Sequence, residues 1–230
     1  MLDVVAQYNQ TSTRMHCCLI LSIDRRHTLP QAEEIVNLAL ANKTRGVVGV
    51  DLCGNPSRGD VSVLRPAFVR AKASGLRLTL HFGEVAASGT ADELRALLEL
   101  QPDRLGHVIH VPGDIKQEIR RRRLGLELCL SCNVLASLTM GGYADHHFGE
   151  WRHSECRIAL AVSYCVDDLI HSTIVSLTPG RLTTSVSFRV RCLMSTAWRW
   201  STSLSRAANS SPSAAALWTA CLVPLRRRTV

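Results

Sequence analysis

Between residues 16 and 168, short apolar runs alternate with segments whose apolar positions recur every three or four residues. The runs are Cys17 to Ile23, Gly46 to Leu52, Leu76 to Leu80, Arg104 to Ile109, Leu126 to Leu130 and Ile158 to Val166, each of strand length. The intervening segments carry helix punctuation. Thr28 stands three residues ahead of Gln31 as a capping box, with Ile35, Leu38 and Ala39 on one face. Asp60 caps a helix bearing Leu64, Phe68 and Ala71, which Gly75 ends. Thr90 and Glu93 form a second capping box ahead of Leu94, Leu97 and Leu98, and Ile115 and Ile119 mark a helix closing in Arg120 to Arg123 and Gly125. A helical stretch, Val4 to Tyr8, precedes the first strand.

Strands apolar on both faces must be covered on both, so strand and helix in alternation predict parallel β/α architecture. The expected class is α/β: an incomplete TIM-type β/α barrel of the metal-dependent hydrolase type, six of eight strands, followed by an irregular tail. Chemistry in such barrels sits at the C-terminal ends of the strands. His81, His107, Asp167, Asp24 and the Gly54 turn all occupy that position.

Composition changes this picture in the tail. The chain has 230 residues, 46% hydrophobic and 20% charged, with a formal net charge of +8. After Asp168 there are eight arginines and no acid, so the tail carries the whole excess and residues 1–168 sum to zero. The expected organisation is a partial barrel over 1–168 and a basic Ser/Ala/Arg-rich tail over 169–230 that is too low in complexity to build a core. Scattered arginines without an aromatic repeat argue against a nucleic-acid partner. No window predicts a membrane span or a signal peptide, so the expectation is a cytoplasmic protein without a membrane partner. The nine cysteines lie mostly in apolar runs, as small hydrophobes rather than a disulfide framework. Cys129-x-x-Cys132 has no second pair at zinc-knuckle spacing and lies across a strand end rather than at a helix start, which favours a core role.

A lone histidine at a strand end is ordinarily a hydrogen-bonded structural residue; here several chemically matched groups share one end. Zinc in a hydrolase takes nitrogen and oxygen ligands, and His81 and Asp167 suit it. Glu84, three residues beyond His81, is placed for proton transfer, while His107 and Asp168 are placed to steer and hold the attacking hydroxide.

Gly49-Val-Asp-Leu-Cys-Gly54, His81-Phe-Gly-Glu84, Arg104-Leu-Gly-His107, Leu126-Glu-Leu-Cys-Leu-Ser-Cys-Asn133 and Val166-Asp-Asp168 resemble, in order, the motifs of the adenosine and AMP deaminase superfamily. Ser22-Ile-Asp-Arg-Arg26, Leu128-Cys-Leu and His146-His-Phe-Gly149 resemble its N6-methyl-AMP deaminase branch, over about residues 1–168. The resemblance implies a zinc-dependent barrel, one Zn2+ per complete site, that converts N6-methyl-AMP to IMP plus methylamine, its small-molecule partner being a purine nucleotide. It implies His81 and Asp167 as metal ligands, and Glu84, His107 and Asp168 as catalytic residues. It also implies Asp24, Gly54 and Asp168 as substrate contacts, and a monomeric full-length form. Members draw two further ligands from a His-x-His on the first strand, and this chain has none before His81. Two alternatives are a non-catalytic fragment acting through partner chains and a deaminase of free adenosine.

Overall fold

A computed structural model describes residues 1–12 and 16–162, together with the backbone of strands at 170–178, 181–182, 187–190 and 218–223. The chain divides into two compact units, residues 1–116 with 215–230, and residues 117–214.

The first unit opens on α1 (Leu2–Thr11), followed by β1 (His16–Asp24), α2 (Leu29–Ala41), β2 (Val47–Cys53), α3 (Val61–Ala73), β3 (Arg77–Phe82), α4 (Ala91–Glu99) and β4 (Arg104–His107). β1 to β4 lie side by side in chain order, every neighbouring pair parallel. Leu19, Leu21, Ile23, Val50, Leu52, Leu78 and Leu80 are wholly buried between the sheet and its helices, as two-sided apolar runs require. Each fully buried side chain of this size contributes roughly 1.5–3 kcal/mol. α2 and α3 bring Ala32, Val36, Leu64 and Phe68 to that core.

The helix boundaries follow from local chemistry. Thr28 and Gln31 form the capping box, with Thr28 N–H donating to Gln31 Oε1 at 2.8 Å. Asp60 accepts from Ser62 N–H at 2.9 Å. α3 ends in a Schellman turn: Gly75 takes φ +78°, its N–H donates to Lys72 O, and Leu76 N–H donates to Ala71 O. Asn9 of α1 grips the start of β1 at both backbone atoms, accepting from Cys17 N–H at 2.7 Å and donating to Cys17 O at 2.8 Å. Leu19, two residues on, makes its bond to Gly46 O, so Asn9 serves the stretch of β1 that extends past the start of β2.

α5 (Gly113–Arg122) leads into the second unit, which holds β5 (Gly125–Cys129), α6 (Leu130–Leu135), α7 (Phe148–Trp151) and β6 (Ile158–Val162). β5 and β6 are parallel, with Leu126 opposite Ile158. Trp151 is wholly buried and Arg120 stacks over its ring at 4.8 Å. The basic run is neutralised locally: Arg120 pairs with Glu150, Arg121 and Arg122 with Glu118, and Arg123 with Glu155. β5 ends at Cys129 rather than at Leu130, and Cys129 is the N-cap of α6, so Cys129-x-x-Cys132 does lie at a helix start, contrary to the expectation from the sequence. Cys17, Cys18, Cys53 and Cys156 are free thiols.

Strands also lie within the tail: β7 (Ile170–Thr178), β8 (Arg181–Leu182), β9 (Ser187–Val190) and β10 (Trp218–Val223). β7 runs antiparallel to β6 and itself pairs with β8 and β9. β10 runs antiparallel to β1, matching His16 to Leu21 with Val223 to Trp218. A six-strand barrel fragment would leave the backbones of β1 and β6 bare at its edges, and an unpaired edge recruits any segment able to extend. Ile170-His-Ser-Thr-Ile-Val-Ser-Leu-Thr178, rich in β-branched residues, is such a segment. The observed class is the expected one, α/β with an incomplete TIM-type β/α barrel. Among the described residues no helix is long and apolar enough to cross a membrane.

Candidate functional site

The register of the first unit brings the strand tips level. Asp24 on β1 is opposite Cys53 on β2, Leu52 is opposite Leu80, and His81 and Phe82 on β3 are opposite Gly106 and His107 on β4. His81, Glu84 and His107 therefore converge. The His81 and His107 rings lie 5.2 Å apart between centroids, and His107 Nε2 is 3.5 Å from Glu84 Oε1.

Two backbone features make this approach possible. Gly83 takes φ +56°, and a Cβ there would lie 2.9 Å from His110 O, so the turn carrying Glu84 back over His81 needs glycine. β4 stops at His107 instead of running to Ile109, because His107 and Val108 both adopt left-handed backbone, φ +63° and +56°. For a β-branched residue this conformation is an outlier, costing about 1–3 kcal/mol. Bonds from Val108 N–H to Phe82 O and from His110 N–H to Gly83 O hold it.

Asp51, not singled out from the sequence, is the residue that fixes His81. Its carboxylate is 4% exposed and its Oδ1 lies 3.2 Å from His81 Nδ1. A carboxylate only accepts, so Nδ1 carries the ring proton and Nε2 presents its lone pair. A charged residue inside the apolar run Gly46 to Leu52 was the available signal.

Asp24 and Gly54 also meet. Gly54 has φ +97°, and a Cβ there would stand 2.5 Å from Asp24 Oδ1. Asp24 is engaged by its neighbour: Oδ1 accepts from Arg26 N–H at 2.8 Å and Nε at 2.9 Å, and Oδ2 accepts from Nη2 at 2.7 Å. The side-chain bond from Arg26 holds the Asp24 carboxyl below the usual carboxylate range despite burial. Cys53 beside it is pushed up to about 12 by burial and by the Asp51 and Asp24 charges, which makes it an inert thiol. Arg25 turns inward and pairs with Glu93 of α4, its side chain 2% exposed.

A zinc site needs three or four donors. His81 fits as one of them, but among the described residues no group of three or more His, Cys, Asp or Glu stands where it would hold a metal ion. Asp167 and Asp168 lie outside the described residues. The described donors alone do not make a zinc site; what they do assemble is a carboxylate and an imidazole 3.5 Å apart beside an oriented histidine.

Comparison with known proteins bears on this arrangement. Residues 3–168 match the adenosine deaminase family. An N6-mAMP deaminase of Arabidopsis thaliana is 35% identical over 164 residues, covering 71% of this chain and 44% of that protein. An N6-methyl-AMP deaminase of Bos taurus is 34% identical over 176 residues, covering 73% and 48%. The crystal structure of an Arabidopsis relative complexed with IMP superposes with a TM-score of 0.58 at 36% identity, covering 61% of this chain and 40% of that one. The chain thus spans less than half the length of these relatives. With its motifs in order, its β/α strands parallel within each unit and the match running through most of its length, the chain belongs to the adenosine deaminase family.

Proposed function

We propose that the chain carries the proton-transfer and base-recognition part of a deaminase acting on a 6-substituted purine nucleotide, the reaction being N6-methyl-AMP plus water to IMP plus methylamine. The observation that carries this reading is the convergence of His81, Glu84 and His107 at the tips of β3 and β4. Glu84 delivers a proton to purine N1 as C6 is attacked, and His107, in contact with Glu84, orients the attacking water. Asp168 accepts a hydrogen bond from that water and, when its carboxyl is protonated, donates one to N7 of the base. Gly54 approaches the base through its backbone, because it has no side chain to block it. His81 and Asp167 would be among the residues that hold a zinc ion, which would supply Lewis-acid activation of the attacking water.

The test is saturable binding of IMP, followed by calorimetry, together with elemental analysis for zinc and chromatography of N6-methyl-AMP and adenosine reactions. The expected outcome is IMP binding with substoichiometric zinc and little turnover. Absence of purine-nucleotide binding refutes the reading, and one tightly held zinc with IMP production refutes the incomplete donor set. Turnover of adenosine in preference to the methylated nucleotide assigns the substrate to the nucleoside. That no three metal donors group together among the described residues favours a second reading, a non-catalytic fragment working through partner chains; a monomeric, protease-resistant preparation counts against it.

A further inference from the structure

The junction of β5 and α6 places two cysteines within a single turn. Cys129 is the last residue of β5 and the N-cap of α6, and Cys132 is the third residue of that helix. Inside a helix, residues three apart keep their Cβ atoms roughly 5–6 Å apart. That is too far for a disulfide, whose Cβ atoms stand about 3.5–4.5 Å apart. An N-cap escapes this limit because its backbone is not helical, here φ −95° and ψ 77°, and its side chain can lean over the first turn toward the third residue. Cys129 and Cys132 hold the two positions whose side chains reach toward each other in a capping box.

Exposure separates this pair from the other described cysteines. Cys129 and Cys132 are both partly exposed, whereas Cys17, Cys18 and Cys156 are buried, and burial pushes those three thiols up. Cys53 is pushed up to about 12, chiefly by burial. The residue that follows gives the pair a consequence. Asn133 is wholly buried; its carbonyl accepts from Leu138 N–H at 2.8 Å and Thr139 N–H at 3.3 Å, and its Nδ2 lies 3.2 Å from His146 Nε2. It therefore anchors the loop between Leu138 and His146, on which Met140 and Tyr143 are exposed.

We infer that Cys129 and Cys132 are a reversible redox pair that closes to an intramolecular disulfide by exchange with a small-molecule disulfide and, when closed, stiffens the loop that Asn133 anchors. The thiolate of one cysteine attacks a sulfur of the small disulfide, forming a mixed disulfide and releasing one small thiol. The other cysteine's thiolate attacks the protein sulfur of that bond, closing the Cys129 to Cys132 link and releasing the second small thiol. The two protein thiols give up two protons and two electrons, and the small disulfide takes them up as two thiols.

The experiment treats the full chain, as wild type, C129S and C132S, with oxidised glutathione, alkylates the remaining thiols and maps the tryptic peptide Leu124 to Arg152, which contains both cysteines. Wild type should lose two hydrogens in that peptide and carry no glutathione there, before Cys17, Cys18, Cys53 or Cys156 reacts. At least one single variant should retain glutathione on its remaining cysteine, because no second thiol displaces it. Hydrogen exchange at the Leu138 and Thr139 amides should slow severalfold when wild type is oxidised, and not in the treated variants. A lasting mixed disulfide in wild type, no reaction at either cysteine, glutathione on neither variant, or earlier oxidation of the four other thiols overturns the redox pair. A closed disulfide with exchange unchanged overturns its hold on the loop.

Discussion

Asp103 → Ala is the substitution whose cost the structure lets us build from parts. Asp103 sits just before β4 and ties the base of the strand that carries His81. Its backbone N–H donates to Leu78 O at 2.9 Å, and its carboxylate accepts from Leu78 N–H at 2.9 Å, Lys72 Nζ at 2.7 Å and Arg77 Nη1 at 2.6 Å. The side chain of Asp103 is 19% exposed, Lys72 31% and Arg77 74%, so the three partners are not equal. The Leu78 amide belongs to a wholly buried residue, and orphaning it costs about 1–3 kcal/mol. The half-buried Lys72 pair adds about 1 kcal/mol and the exposed Arg77 pair only a few tenths. We expect D103A to lose about 3 kcal/mol, D103N about 1 because an amide oxygen still accepts from Leu78, and R77A under about 0.5. Urea unfolding should show this as a midpoint drop of about 1–2 M for D103A at an unchanged slope. Burial works to raise the Asp103 carboxyl pKa, but the bonds from Lys72, Leu78 N–H and Arg77 prevail and lower it. The contribution is therefore present above the unfolded carboxyl pKa, about 3.9, and is lost as pH falls through the lower folded value. R77A as costly as D103A, or D103N as costly as D103A, would refute the ranking by burial.

Three further outcomes follow from the same bookkeeping of partners. His146 is buried; its Nδ1 accepts from Phe148 N–H at 3.0 Å and its Nε2 lies 3.2 Å from Asn133 Nδ2. Burial, and then the neighbouring His147, lower its pKa to about 4. The unfolded state takes up the proton first, so stability is full above about pH 6.5 and falls as pH drops toward 4, by up to about 3 kcal/mol; urea midpoints at pH 7 and 5 should converge in H146Q. Gly54→Ala should lower thermal stability by about 1–3 kcal/mol, since the residue is held at φ +97° and the new methyl meets the Asp24 carboxylate; an unchanged melting temperature would show that the turn relaxes freely. Asp51→Asn should shift the His81 ring proton from Nδ1 toward Nε2, read by nitrogen NMR of the imidazoles, without unfolding the chain.

What could be read from the sequence was whatever is written in one residue or in a fixed spacing. Thr28 with Gln31, Asp60 and Gly75 name their helix ends because a hydroxyl, a carboxylate and a missing Cβ each solve a local backbone problem. Hidden from it was whatever depends on another strand. The run Arg104 to Ile109 is apolar enough to continue as strand, and only the bonds to Phe82 and Gly83 turn it aside at His107. Asp51 looks like an anomaly in an apolar run until β3 brings His81 beside it. Glu93 fills a helix-cap pattern, yet its side chain goes to Arg25, a partner 68 residues away. The Arg120 to Arg123 run invites an external anion, whereas Glu118, Glu150 and Glu155 already answer it.

The placement of Glu84 and His107 depends on local backbone alone. Glu84 is set by a glycine turn against His110, and His107 by strained backbone bonded to β3. Both devices lie wholly within β3, β4 and the loops that follow them. Left-handed backbone at Val108 persists only where its surroundings over-determine it, and the surroundings that do so here are hydrogen bonds of the first unit itself. Glu84 and His107 are therefore held beside one another by β3, β4 and their loops alone. On the proposed reading, substitution at Glu84 or His107 should alter how a purine is held whether or not zinc is present, whereas zinc affinity should follow the number of donors supplied alongside His81.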